Sequence, residues 1–176
     1  MAEPVTTENL DGYGAPPIPW ERVRARLEAG FPQRPGSGGP DRHTCWLATT
    51  NPDGSPHVMP LGGLWLDGAF HFSTGPGTRK GRNLARDPRC VITVALRDFD
   101  VVVRGRAVRV TGDALHRVAE AYAAQGWHPT VRDDALYAEY SAPSAGPPPW
   151  QVYRVDPARV VAIGTTDLAG ATAWRF

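Results

Sequence analysis

Short β-favouring runs, cut apart by turn residues, constrain this chain more than any other feature. His43–Thr50 (HTCWLATT) is bounded by Asn51-Pro52-Asp53-Gly54, and His57–Gly62 follows as the returning strand of a hairpin. Leu64–Leu66 leads into Asp67-Gly68, a second hairpin signal, and Ala69–Thr74 (AFHFST) completes that pair. Strand alternation puts Phe70 and Phe72 on one face and His71 and Ser73 on the other. Gly62-Gly63 marks a bulge or tight turn. Residues 89–96, 101–112, 151–155 and 159–163 read as further strands. The 19 glycines and 18 prolines follow no period, which suits many turns rather than a collagen-like repeat.

Helices are few. Behind Pro19, which fits a first helical turn, Trp20, Val23 and Leu27 recur at helical spacing until Gly30. Thr78 is a candidate N-cap for a short helix reaching about Arg86, stopped by Asp87-Pro88. Residues 113–125 give the clearest stripe, with Leu115, Val118, Ala119, Tyr122 and Ala123 on one face. Residues 130–140 read as another short helix. Residues 32–42 and 143–149 read as loops. Residues 1–17, rich in Pro and Gly, read as a flexible or surface-draped arm, leaving 18–176 as a single domain. Strands do not alternate with helices, so a doubly wound α/β fold does not fit. The expected class is mainly β, a six- to seven-stranded antiparallel sheet closed into a small barrel with short flanking helices. Closure removes exposed sheet edges.

Lys plus Arg number 19 and Asp plus Glu 18, a net charge of +1, which argues against a dedicated nucleic-acid binder. Cys45 and Cys90 each lie in an apolar run and read as reduced core residues of a cytoplasmic protein. The N-terminus carries no basic-then-apolar leader pattern, and no run approaches a membrane span. His43 and Cys45 alternate on one strand face, but no second ligand pair follows, so no zinc site is expected. Neither a G-x-S-x-G elbow nor a G-x-x-x-x-G-K-[ST] loop occurs. His116 and His128 read as surface residues, and Asp133-Asp134 is too local to be a catalytic carboxylate pair.

One cluster carries chemistry. Arg79, Lys80 and Arg82 gather where a helix begins, and Lys80 is the only lysine in the chain. Free N–H groups at a helix start favour an anion. Arginine grips phosphate oxygens in pairs, and lysine supplies a point charge. A solvated basic helix start would look the same. Ser73 and Thr74 could add hydroxyl contacts or be ordinary strand polarity.

The stretch FSTGPGTRKGRNLARDPRCVITV, Phe72–Val94, resembles the pyridoxamine-phosphate-oxidase-like superfamily of flavin-binding split barrels. Its Lys80–Arg89 part, K-x-R-N-L-x-R-D-P-R, is similar to an actinobacterial branch in which many members use the deazaflavin F420 in place of FMN. LATTNPDGSPHVMPL at 47–61 resembles the family's opening hairpin, and VVVRGRAVRVTG at 101–112 its middle strand. The likeness covers roughly residues 43–165. It implies a split barrel that works as a homodimer with the cofactor at the interface. It also implies an oxidoreductase moving a hydride between F420 and a small organic substrate. An FMN-dependent oxidase or reductase is one alternative. A non-catalytic flavin or haem binder, with His43, His57 or His71 toward iron, is another.

By the same resemblance, Arg79, Lys80, Arg82 and Asn83 hold the cofactor phosphate with Ser73 and Thr74. His57, Met59 and Pro60 line the ring. Trp174 and Arg175, in a tail like the family's Trp-containing end, stack on the ring and hold an anionic group, or dock on the dimer surface. Arg104 and Arg106 share one strand face and either reach the cofactor or face solvent. The chain is short and ends Trp174-Arg175-Phe176, which departs from vitamin B6 oxidases. The N-terminal arm and the 143–149 loop are longer than in minimal relatives; they shape a substrate pocket or are surface elaboration.

Overall fold

The computed structural model describes residues 3–33, 43–166 and 170–176. Its elements run β1 (Thr6–Asn9), α1 (Trp20–Glu28), β2 (Cys45–Thr50), β3 (Pro56–Leu61), β4 (Leu64–Leu66) and β5 (Ala69–Thr74). They continue through α2 (Arg79–Arg86), β6 (Arg89–Ala95), β7 (Phe99–Val110), α3 (Gly112–Ala124), β8 (Thr130–Arg132) and β9 (Ala135–Tyr137). A single 3-10 turn (Pro143–Ala145), β10 (Gln151–Gly164) and β11 (Ala171–Arg175) complete the chain. The glycine-rich part of the loop expected at 32–42 lies outside the described residues.

The main sheet has nine strands in the order β1-β11-β10-β7-β6-β2-β3, with β5 joining at β10 and β4 pairing β5. Strand β10 organises it. Along one side it follows β7 throughout. Along the other, Gln151–Val155 pair with β5 and Arg159–Ile163 with β11. The register slips between Pro157 and Arg159. Gly105 lies opposite, and a Cβ there would collide with the Asp156 carbonyl. The two expected strands at 151–155 and 159–163 are therefore one strand bent at a bulge. The result is the expected mainly-β split barrel with short flanking helices.

More strands form than the six or seven expected. Thr6–Asn9, within the N-terminal arm, pairs with β11. Residues 130–140 are not a helix but the β8–β9 hairpin. Asp133 and Asp134 sit at φ 50° and 54°. Two successive left-handed residues make the turn that matches strand twist, and aspartate tolerates that region. Leu136 is buried from the hairpin, which also bridges to Trp150. Tertiary packing thus overrides a weak helical reading.

Two apolar clusters fill the fold. Trp20, Val23 and Leu27 of α1 enter the first, with Phe70, Phe72, Ile92, Val155 and Trp174. Leu115, Val118 and Tyr122 of α3 enter the second, with Leu64, Leu136, Trp150 and Val152. Cys45 and Cys90 are buried free thiols, and burial pushes both up to about 12, so they stay protonated and inert. No helix among the described residues is long and apolar enough to cross a membrane.

His71 is 4% exposed, facing away from Phe70 and Phe72, with Nδ1 3.3 Å from the Ala69 carbonyl. Burial pushes its imidazole down to about 4, with Arg154 adding to the shift. The unfolded chain therefore takes up this proton first as pH falls. The stability His71 contributes is complete above about pH 6.5 and lost between there and about pH 4. In urea unfolding, the wild type is expected to lose about 3 kcal/mol more than His71→Leu over that interval; parallel pH profiles would contradict this.

Candidate functional site

Helix α2 begins where β5 ends, across the turn Gly75-Pro76-Gly77. Thr78 is its N-cap, and its hydroxyl accepts from Gly81 N at 3.1 Å. That hydroxyl donates to the Gly75 carbonyl (2.8 Å), so Thr74 Oγ1, 2.9 Å away, donates to it. Gly81 is required here, because a Cβ would stand 2.5 Å from the Gly75 oxygen. The turn is thus locked by its own side chains before any ligand enters. Thr74 is fully buried and its hydroxyl is committed inside the turn. Ser73 points the other way, toward Tyr122 of α3. Neither hydroxyl is offered at the helix start.

Asn83 ties α2 to the β2–β3 hairpin. It is 2% exposed, and its Nδ2 donates to Thr49 Oγ1 and to Asn51 Oδ1, both at 3.1 Å. Arg86 adds a bond to the Thr50 carbonyl. Asn83 therefore acts as a strut rather than an open ligand contact. The strut brings α2 beside β3. Thr49 Oγ1 lies 3.5 Å from Nδ1 of His57, its cross-strand partner. His57 and Met59, both half-buried, share the inward face of β3 with their partners Thr49 and Leu47. Pro60 faces outward, and only its carbonyl turns toward the site.

The electrostatics confirm which groups are neighbours. The His57 imidazole is held below its ordinary value, first by loss of water, then by Lys80, then by Arg79. It is neutral at pH 7. The Lys80 ammonium is itself pushed down by burial. Lys80 is 3% exposed, and no carboxylate pairs with it among the described residues. Its Nζ donates instead to the Ser144 carbonyl in the 3-10 turn. Arg82 donates to the Gly77 carbonyl. Arg79 is exposed. One buried ammonium, two guanidiniums and a neutral imidazole thus gather at one helix start, an arrangement suited to a multiply charged anion.

Other expected site residues are not brought here. Trp174 is 1% exposed and packs on Trp20 with ring centroids 5.4 Å apart. Both faces of its indole are enclosed by the core, which corrects the expectation that it stacks on a ring. Arg175 is exposed, in register with Arg159 and Thr6 at the β1–β11 end of the strand order, with β3 at the other end. Arg104 and Arg106 are exposed on the outer face of β7. Ser144 carries no sequence signal, because nothing in a Pro-rich loop shows which wall it will lie against. A 660 Å³ concavity lined by Glu28, Trp65, Leu66, Asp67, Gly68 and Arg117 opens elsewhere, touching no residue of α2. Its open, charged rim holds no constellation of reactive groups. No three His, Cys, Asp or Glu side chains gather as a metal site among the described residues.

Residues 39–164 match the family described as Pyridoxamine 5'-phosphate oxidase, and the chain belongs to that family. This places it in a flavin- or cofactor-binding class. Among solved structures it is similar to a heme binding protein from Mycobacterium smegmatis, with TM-score 0.59 and 23% identity, covering 88% of this chain and 58% of that one. It is also similar to a conserved hypothetical protein from Mycobacterium tuberculosis, with TM-score 0.58 and 21% identity, covering 85% and 87%. At these identities the likeness is one of fold. A protein of Arabidopsis thaliana named "Probable methyltransferase PMT11" is 26% identical over 144 residues, 72% of this chain and 21% of its own length. The chain therefore spans less than two thirds of that relative and of the heme binding protein.

The site geometry makes His57 a reporter. Lys80→Ala and Arg79→Ala are each expected to raise the His57 pKa, read from imidazole proton shifts in NMR titration, because each removes a neighbouring cation. An unmoved His57 in both variants would separate β3 from the α2 cluster.

Proposed function

We propose that this chain is an oxidoreductase that binds a phosphorylated flavin-type cofactor and moves a hydride to or from a small organic substrate, with F420 as the cofactor. The observation that carries the reading is the Lys80 ammonium, buried at a helix start without a carboxylate partner among the described residues. A buried cation needs a counter-charge or strong acceptors, and one backbone carbonyl uses only one of its three N–H donors. An anion with several oxygens answers the remainder, so the residues fit a phosphate. Lys80 and Arg79 would hold it, with Arg82 once released from Gly77. His57, Met59 and the Pro60 backbone would line the ring. When bound, the cofactor supplies the hydride chemistry, and the protein binds and orients. Neutral His57 can offer one ring hydrogen bond without adding charge.

The preference for F420 rests on the Lys80–Arg89 sequence and on the extra cations available to a phosphodiester-linked acidic tail. FMN, with a terminal phosphate on the same cluster, is the second reading. The haem alternative is less well supported. His43 Nδ1 lies 2.5 Å from the Ala95 carbonyl and His71 is enclosed, which leaves His57 alone half-open. Paired fluorescence titrations with F420 and FMN test the assignment. Selective binding of F420 is expected, weakened at least about ten-fold by Lys80→Ala together with Arg79→Ala, the loss of about 1.4 kcal/mol or more. Selective FMN binding would move the protein to the second reading. Binding of neither by the folded protein, or unchanged affinity in the double variant, would remove the phosphate site.

We further propose that the working form is a homodimer built on the outer face of β2 and β3. Trp46 is 47% exposed and Val58 52% exposed, and they stand on neighbouring strands with Ala48 and Pro60 as cross-strand partners. A tryptophan left half in water beside further apolar residues suits a contact surface. Light scattering is expected to give a dimer for the wild type and a monomer for Trp46→Lys. A monomeric wild type carrying cofactor would overturn this.

A further inference from the structure

The same site is covered. Lys80 is 3% exposed, and the segment Ala142–Pro149 lies against it through the Ser144 carbonyl. This cover is thin: Ala142, Pro143, Pro147, Pro148 and Pro149 are all exposed on its far side. It is fastened by Ala145, 3% exposed in the second apolar cluster, and by a few hydrogen bonds. Ser144 Oγ donates to the Pro60 carbonyl at 3.2 Å, and Gly75 N donates to the Ala145 carbonyl at 2.7 Å. Behind these, Trp150 Nε1 donates to the Gly146 carbonyl at 2.8 Å, and Trp150 itself is bridged to Leu136. Gly146 sits at φ 72°, a left-handed position at the end of the 3-10 turn.

The contacts at the cation cluster are of one kind. Lys80 and Arg82 both donate to backbone carbonyls, Ser144 and Gly77. A carbonyl oxygen is a neutral stand-in for an anionic one, so both cations have better partners available than those they hold. We infer that the Ala142–Pro149 segment is a gate over the anion site: its Ser144 carbonyl occupies the Lys80 ammonium until an incoming phosphorylated ligand displaces it. The inference rests on the phosphate-site reading above. The closed gate and the bound anion compete for the same ammonium. Apparent affinity is therefore lowered by the fraction of molecules that are open.

The position that tests it is Gly75. A Cβ there would stand 2.8 Å from the Ala145 oxygen and 3.2 Å from the Pro147 oxygen, both in the segment. Gly75→Ala therefore pushes the segment off while leaving Lys80 and Arg79 unchanged. A second variant, Pro147→Gly with Pro148→Gly, loosens the segment by raising the entropy of its open form. With F420 and FMN as probes, both variants are expected to bind about three- to ten-fold more tightly than the wild type. In the wild type, saturating ligand is expected to speed hydrogen exchange at the Gly75 amide, whose bond to the Ala145 carbonyl is broken by opening. Weaker or unchanged binding in the folded variants would show a fixed wall rather than a gate and overturn the inference. So would slower or unchanged exchange on ligand binding, a measurement that needs no variant. Lys80→Ala separates the two ideas. If it leaves affinity unchanged, the phosphate site itself is wrong. If it weakens binding while Gly75→Ala does not strengthen it, only the gate is wrong.

Discussion

The structure depends on one strand serving three neighbours. β10 holds β7 along its whole length and divides its other side between β5 and β11. That division is possible only because the strand bends at Pro157, where proline brings no N–H to the ladder and Gly105 lets the backbones come close. The bend lets a single sheet curl into a split barrel around the aromatic core. It also fixes β5, whose last residue runs straight into the Thr78 turn. The position of α2 and its cation cluster is thus inherited from a bulge in a strand that contributes no residue to that cluster.

Around that helix the charges are arranged at a cost. Burying an ammonium without a carboxylate is unfavourable, and burial pulls Lys80 toward its neutral form. Burial first, and then the neighbouring Lys80 and Arg79, hold the His57 imidazole below its ordinary value. Within the structure the cations are met by neutral acceptors, Lys80 by the Ser144 carbonyl and Arg82 by the Gly77 carbonyl, which hold a cation less strongly than a charged oxygen would.

Much of this was readable from local sequence. Asp67-Gly68 formed the expected tight turn, with Asp67 at φ 50° and Gly68 at φ 81°. The stripes of α1 and α3 were buried as their spacing required, and Thr78 capped α2. Such features depend on residues within one turn of each other. Those that escaped depend on distant partners. Thr6–Asn9 is polar and exposed and becomes a strand only because β11 offers an edge. The β8–β9 hairpin is set by its docking onto Trp150. Trp174 has the chemistry to stack on a ligand, but Trp20 occupies it first. The cation cluster itself was legible because its members lie within one helical turn. The segment lying against it was not, because Ser144 stands 64 positions from Lys80.

A sheet with open ends is a template for adding further strands, and its two outermost strands show how this one resists. β1 is only four residues long. β3 begins at Pro56 and carries Pro60 two residues after Val58. Main-chain amides on a strand alternate in direction, and proline fits where its missing N–H would have faced solvent. Of the three amides that would line that rim, only that of Val58 can recruit a neighbour. Strand-by-strand growth into fibrils is starved of donors at this end.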